Sequence, residues 1–248
     1  SIRRQRQMCI RDRSGNYSDA IRLYDEINET EMNSEDYFKK AIAYEKNDIT
    51  QEAIKIMKSL LSKDPDFLQG YFYLQSLYEN EKNYPDAIEI GKEGLRLSQF
   101  YKELMVSTGS LEIEHGDANE GVTLLKQALE VDNAYHEPLL ILSDLYRSEE
   151  DYEAIIELLT YVDEEDLDPV FMWHLAYAYG KEERDKEAQH FFELAYPTLK
   201  SQSEFLSDYY FYLLEIGQKD QAKSILDQLL EMDPSNETWH DEAMRLQS

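Results

Sequence analysis

Apolar residues recur at three- and four-residue intervals along most of this chain, and short polar turns break the rhythm at regular distances. Residues 44–66, 78–99, 179–200 and 214–235 show the same arrangement. Each leaves the end of one amphipathic segment, crosses a few polar residues and enters a second amphipathic segment. A stripe repeating at that spacing lies on one side of an α-helix, so each stretch reads as a helix end, a turn and a second helix with one buried face. Turns such as Lys-Asp-Pro-Asp (63–66) and Met-Asp-Pro-Ser (232–235) end one helix, because proline disfavours helix in the residue before it.

The pattern repeats with a fixed period. The small residue near the start of the second helix falls at Ala53, Ala87, Gly121, Ala188 and Ala222, in steps of 34, 34, 67 and 34 residues. The long step holds two units, with Ile155 at the intermediate site and one unit a residue short. Small residues here and at Ala41 and Ala176 let neighbouring helix backbones approach closely. Most of the 19 tyrosines lie on the apolar stripes, where they serve inter-helix packing rather than a cofactor.

Each unit carries similar landmarks. From Ser34 they are Tyr37, Ala41, Tyr44, Ala53, Met57, Leu60 and Pro65; from Leu68 they are Tyr71, Leu74, Tyr78 and Ala87, with Gly91 and Gly94 thinning the second helix. From Lys102 the match is poorer, with Met105, Gly109, Gly121, Leu125 and Ala128, and with Glu112 where a tyrosine is expected. From His136, Pro169 and Ser203 it is carried by Leu142 and Tyr146, by Ala176, Tyr179, Ala188 and Phe192, and by Leu206, Tyr210, Ala222 and Pro234. In period and landmarks the chain resembles the tetratricopeptide repeat, two antiparallel helices per 34 residues. The resemblance implies an all-α, right-handed superhelical solenoid of six full units starting near 34, 68, 102, 136, 169 and 203, forming a single domain over 14–248. Residues 16–30, with Ala20, Tyr24 and Ile27 in register, read as the second helix of an earlier unit, so the N-terminus is expected to be truncated. Residues 236–247, with Trp239, Ala243 and Leu246 on one face, read as a terminal capping helix.

Charge changes the picture of partners. The 248 residues hold 25 Lys and Arg against 52 Asp and Glu, a formal net charge of −27. Such a surface repels phosphate backbones and anionic membranes, which argues against nucleic-acid binding. The excess is not uniform. Residues 1–13 carry five arginines and one acid, leaving 20 bases against 51 acids in the rest, so this segment reads as a foreign basic stretch. The single cysteine, Cys9, lies inside it and is given no role; one cysteine excludes an internal disulfide framework. No apolar run approaches the ~18 residues of a membrane span, and the expected home is the cytoplasm, as for the soluble repeat proteins of low-GC Gram-positive bacteria that the chain resembles.

Candidate chemistry is sparse. No phosphate-binding glycine loop and no nucleophile elbow occurs. His115, His136, His174, His190 and His240 are scattered, although His174 and His190 could face one another across a unit. The run Asp163 to Asp168 lacks the central glycine and closing glutamate of a calcium loop and reads as an acidic linker. No enzyme, cofactor or metal site is expected.

The resemblance also implies that the first helix of each unit lines a concave side. Its inward positions are Phe38 and Ile42, Phe72 and Ser76, Val106 and Ser110, Leu140 and Asp144, Trp173 and Tyr177, Ser207 and Phe211. Apolar and aromatic side chains ringed by acids suit a protein or peptide with apolar anchors and basic flanks. A carboxylate clamp for chaperone tails needs Lys, Arg and Asn, and those places hold Phe38, Ile42, Phe72, Ser76 and Val106. The sequence therefore predicts a non-catalytic interaction scaffold. The alternative is a receptor domain for a short signalling peptide, its output domain lost upstream.

Overall fold

The computed structural model describes residues 17–247. Among them lie fourteen α-helices, two short 3-10 turns and no strand. The chain divides into two compact units, the first ending at Val131 and the second starting at Asp132. Each is a stack of antiparallel helix pairs, an α-solenoid of repeats.

In the first unit α1 (Tyr17–Asp25) precedes three pairs: α2 (Ser34–Glu45) with α3 (Thr50–Lys63), α4 (Leu68–Asn80) with α5 (Tyr84–Leu97), and α6 (Lys102–His115) with α7 (Ala118–Val131). In the second, α8 (His136–Ser148) pairs with α9 (Tyr152–Thr160), α10 (Pro169–Lys181) with α11 (Asp185–Leu199), and α12 (Ser203–Glu215) with α13 (Lys219–Met232). Helix α14 (Glu237–Gln247) closes that unit against α13. Helix α9 is short, nine residues, and a 3-10 turn at Glu164–Asp166 follows it, which accounts for the unit that lacks a residue.

The periodicity works as the packing requires. Ala53, Ala87, Ala188 and Ala222 are fully buried at the crossings, and Leu74, Leu125, Leu142, Leu175 and Leu213 fill the cores between them. Truncating one such leucine to alanine costs about 2–5 kcal/mol. In the third pair the crossing uses glycine. A Cβ built on Gly121 stands 2.5 Å from the Gly109 carbonyl oxygen and 2.9 Å from the Ile113 nitrogen, so α6 and α7 touch backbone to backbone. Gly91 has a different task. Its missing side chain leaves room for Gln75, whose amide donates to the Thr108 hydroxyl at 2.9 Å inside the core.

The turn inside each pair follows one rule with one exception. Asp48, Lys82, Glu150, Glu183 and Gly217 have positive φ, and the next residue's N–H bonds back to the carbonyl of Tyr44, Tyr78, Tyr146, Tyr179 or Leu213 at 2.8–2.9 Å. This is the six-residue helix-ending motif, here built four times without glycine at the left-handed position. The third pair lacks it. There the side chain of Glu112, at the place where a tyrosine was expected, accepts the Asp117 N–H at 2.7 Å and pairs with Lys92. A buried carboxylate has replaced a backbone motif, which explains why the third unit fits the pattern worst.

Candidate functional site

The positions selected from the sequence fall on the first helix of each pair, and the two units treat them differently. In the first unit Phe38 is 9% exposed, wedged edge-on between Phe67 at 5.5 Å and Tyr73 at 5.1 Å. Val106 is 1% exposed and belongs to the packing beneath the surface. Ile42 and Phe72 are half-buried, with Phe72 tilted against Tyr101. The hydroxyls of Ser76 and Ser110 turn back onto the carbonyls of Tyr73 and Val106, 2.8 and 2.9 Å away. This face is largely self-satisfied.

The second unit gathers a polar and aromatic cluster. Arg147 of α8 reaches over α10, its guanidinium centre 4.1 Å from the Tyr177 ring and 5.4 Å from Trp173, and its Nη2 donates to Asp208 of α12 at 2.7 Å. The Trp173 indole N–H donates to the same carboxylate oxygen at 2.9 Å. Three successive first helices are thereby tied through one acceptor. Both charges are mostly shielded from solvent, so the pair is stronger than a surface ion pair. Leu140 and Ser207 are half-buried beside it, and the Asp144 side chain stands out in solvent.

Past the cluster a cavity of about 220 Å³ opens between α10, α11 and α12. Phe192 and Tyr212 are buried residues of its lining, and Tyr177 and Gly180 flank them. Phe211, 42% exposed, stands at its mouth against Trp239 of α14. Asp208, Glu215 and Lys181 carry the charges of the lining, with Lys181 and Glu215 3.9 Å apart. Burial, with Asp185 nearby, pushes the Tyr212 phenol up to about 12, so the phenol is neutral at physiological pH. A space of this size is below the ~300–1,000 Å³ usual for cofactors and small molecules and suits a single side chain.

Other candidates separate. His174 is buried in α10, and burial holds its imidazole below the ordinary value despite Asp144 3.9 Å away. His190 sits on the surface, 3.1 Å from Glu164, so the two histidines do not meet. Asp168 caps α10 through the Val170 N–H, giving the acidic run a structural task. Among the described residues no three His, Cys, Asp or Glu side chains gather as a metal site would need, and no helix is long and apolar enough to cross a membrane. Cys9 and residues 1–13 lie outside the described residues.

Sequence reasoning missed Arg147, Lys181 and Glu215. They lie seven or eight residues after Leu140, Trp173 and Ser207, one or two turns beyond the positions chosen. Extending the same helical face by a further turn finds them.

Charge divides with the units. Residues 14–131 hold 12 bases and 23 acids, and residues 132–248 hold 8 and 28. The unit with the open pocket is also the more acidic.

Comparison with known proteins agrees with this architecture. Residues 169–236 match the family model of the C-terminal tetratricopeptide repeats of YpiA-like proteins, and residues 37–66 match a tetratricopeptide-repeat model. The TPR repeat-containing protein YpiA of Bacillus subtilis is 33% identical over 238 residues, covering 94% of this chain. The chain spans 56% of that relative's length. Among solved structures, the C-terminal part of a TPR repeat-containing protein from Cytophaga hutchinsonii superposes with a TM-score of 0.72 at 14% identity, covering 95% of this chain and 98% of that one. A tetratricopeptide repeat protein from Parabacteroides merdae gives 0.59 at 15% identity, covering 98% and 97%.

Proposed function

The chain is a tetratricopeptide-repeat protein, and from that premise we propose that its second unit holds a protein or peptide on the face of α8, α10 and α12, without catalysis. Proteins built of such repeats generally work as interaction scaffolds, because stacked helix pairs offer extended surfaces of fixed spacing. One observation carries the choice of face. Phe211 stands exposed at the mouth of a side-chain-sized cavity whose walls are braced by the bonds among Arg147, Trp173 and Asp208. A braced aromatic pocket loses little freedom when it is filled, which favours binding.

The occupant is a segment with one apolar or aromatic anchor and basic residues beside it. The anchor fills the cavity, and the flanks meet Asp208, Glu215 and Asp144 in a unit with 28 acids and 8 bases. Opposite charge also speeds encounter, at a rate that falls with salt. A receptor for a short signalling peptide would use the same pocket. A cytoplasmic home suits either occupant.

Both tryptophans of the chain, Trp173 and Trp239, border this site, so intrinsic fluorescence reads it directly. The test is a titration with two degenerate peptide libraries, each with a fixed central Leu or Phe, one flanked by Lys and one by Glu. The Lys-flanked library should shift the emission at roughly tenfold lower concentration, and the shift should vanish in Phe211→Ala. Equal response to both libraries, or a response unchanged in Phe211→Ala, contradicts the assignment.

A further inference from the structure

A second surface lies on the first unit, away from the first-helix row. A trough of about 690 Å³ runs between α5 and α7, with the buried Met105 of α6 among its lining residues. Where the two helices end, three apolar side chains stand in solvent: Leu97 at 47%, Phe100 at 79% and Val131 at 44% exposure. In water this cluster is costly, and isolated exposure does not explain three such residues beside one cleft.

The charges of the trough are balanced, unlike those of the chain. Lys92 is already engaged by Glu112 and by Glu120, the latter at 2.7 Å. Arg96 and Glu130 remain, both exposed, and neither makes an ion pair or side-chain hydrogen bond with a described residue. One uncompensated cation thus sits near the end of α5, and one uncompensated anion near the end of the parallel α7.

From this geometry we propose that the trough is where two copies of the chain meet, about a two-fold axis that sets Arg96 of each copy against Glu130 of the other and brings the two Phe100 rings together. A two-fold contact uses the same patch twice, so the patch must complement itself. A face with one free charge of each sign beside an apolar cluster does so. Two bodies of net charge −27 repel through the rest of their surfaces, and this neutral patch admits contact without adding like-charge opposition. Helices α5 and α7, 14 residues each, are about 21 Å long, giving a face of roughly 400 Å² per copy. That is about half the usual specific interface, so the association is weak and concentration-dependent.

Sedimentation equilibrium of the full chain reads this directly. The mass should climb from 29.3 kDa toward twice that value with concentration, and further at moderate salt, where the whole-body repulsion is screened. Phe100→Glu and Arg96→Glu, both at exposed positions, should each lower the association constant at least roughly tenfold with helicity unchanged. Adding Glu130→Arg to Arg96→Glu should restore it. A chain that stays at 29.3 kDa throughout overturns the proposal, as does a dimer that survives Phe100→Glu and Arg96→Glu or a charge swap that restores nothing. If the chain stays monomeric while a foreign protein binds it and not Phe100→Glu, the trough belongs to that partner, and the self-pairing is likewise overturned.

Discussion

At its chosen first-helix positions the first unit offers Phe38 at 9% and Val106 at 1% exposure, whereas the second offers Phe211 at 42% and a solvent-facing Asp144. The same helical rule selects all four, so the rule does not decide which become surface. The neighbouring repeat does. Phe67 and Tyr73 close over Phe38, while in the second unit the side chain that could fold inward, Trp173, is pinned by Asp208 and leaves Phe211 uncovered. A polar bond in one repeat thereby keeps an apolar site open in the next. The first unit leaves its own apolar cluster elsewhere, beside the trough of α5 and α7.

The largest stability difference between the units is expected at equivalent crossings. Gly121→Ala drives a methyl into the Gly109 carbonyl, and since backbone must move it costs about 3 kcal/mol. Ala188→Gly, at the same repeat position in the second unit, costs about 1 kcal/mol through helix propensity. Denaturant titrations of both variants measure this, and equal losses would mean that the glycine crossing is no closer than the alanine one.

A smaller effect is expected at the bonds that brace the pocket. Asp208→Ala leaves the Trp173 N–H and the Arg147 guanidinium without their shared acceptor and costs about 1–2 kcal/mol. Glu35→Ala, which removes the exposed pair with Lys39 in the first unit, costs less than about 0.5 kcal/mol. The tryptophan emission should change in the first variant only.

The smallest difference is one of pH. Burial holds His174 below its ordinary 6.5, so on acidification the unfolded chain takes up this proton before the folded one. Its contribution is complete above about pH 6.5 and is lost as the pH falls through that value. Chemical unfolding of the native chain and of His174→Gln, compared between neutral and mildly acidic pH, should show the native chain losing the more stability. A gap independent of pH contradicts a neutral buried imidazole.

The helices and their repeat were legible because local signals repeat at 34 residues: a small residue at each crossing, an aromatic at each turn, a proline after some of the second helices. Helix starts at Ser34, Leu68, Lys102, His136, Pro169 and Ser203 fall where that period puts them. What stayed hidden depends on atoms from other repeats. Glu112 read as a defect and is the cap of its turn, since only the fold brings the Asp117 N–H to it. Val106 read as inward-facing surface and is core. Arg147 was passed over because its meaning comes from Asp208, 61 residues away.

The most direct test of the central claim, that the second unit's first-helix face does the holding, is a crosslinked capture from a bacterial lysate with three chains of matched helicity: native, Phe211→Ala with Tyr177→Ala, and Phe72→Ala. The account predicts a protein captured by the native chain and by Phe72→Ala and lost from the Phe211, Tyr177 pair. Loss from Phe72→Ala with retention by the pair would move the working surface to the first unit and contradict the account.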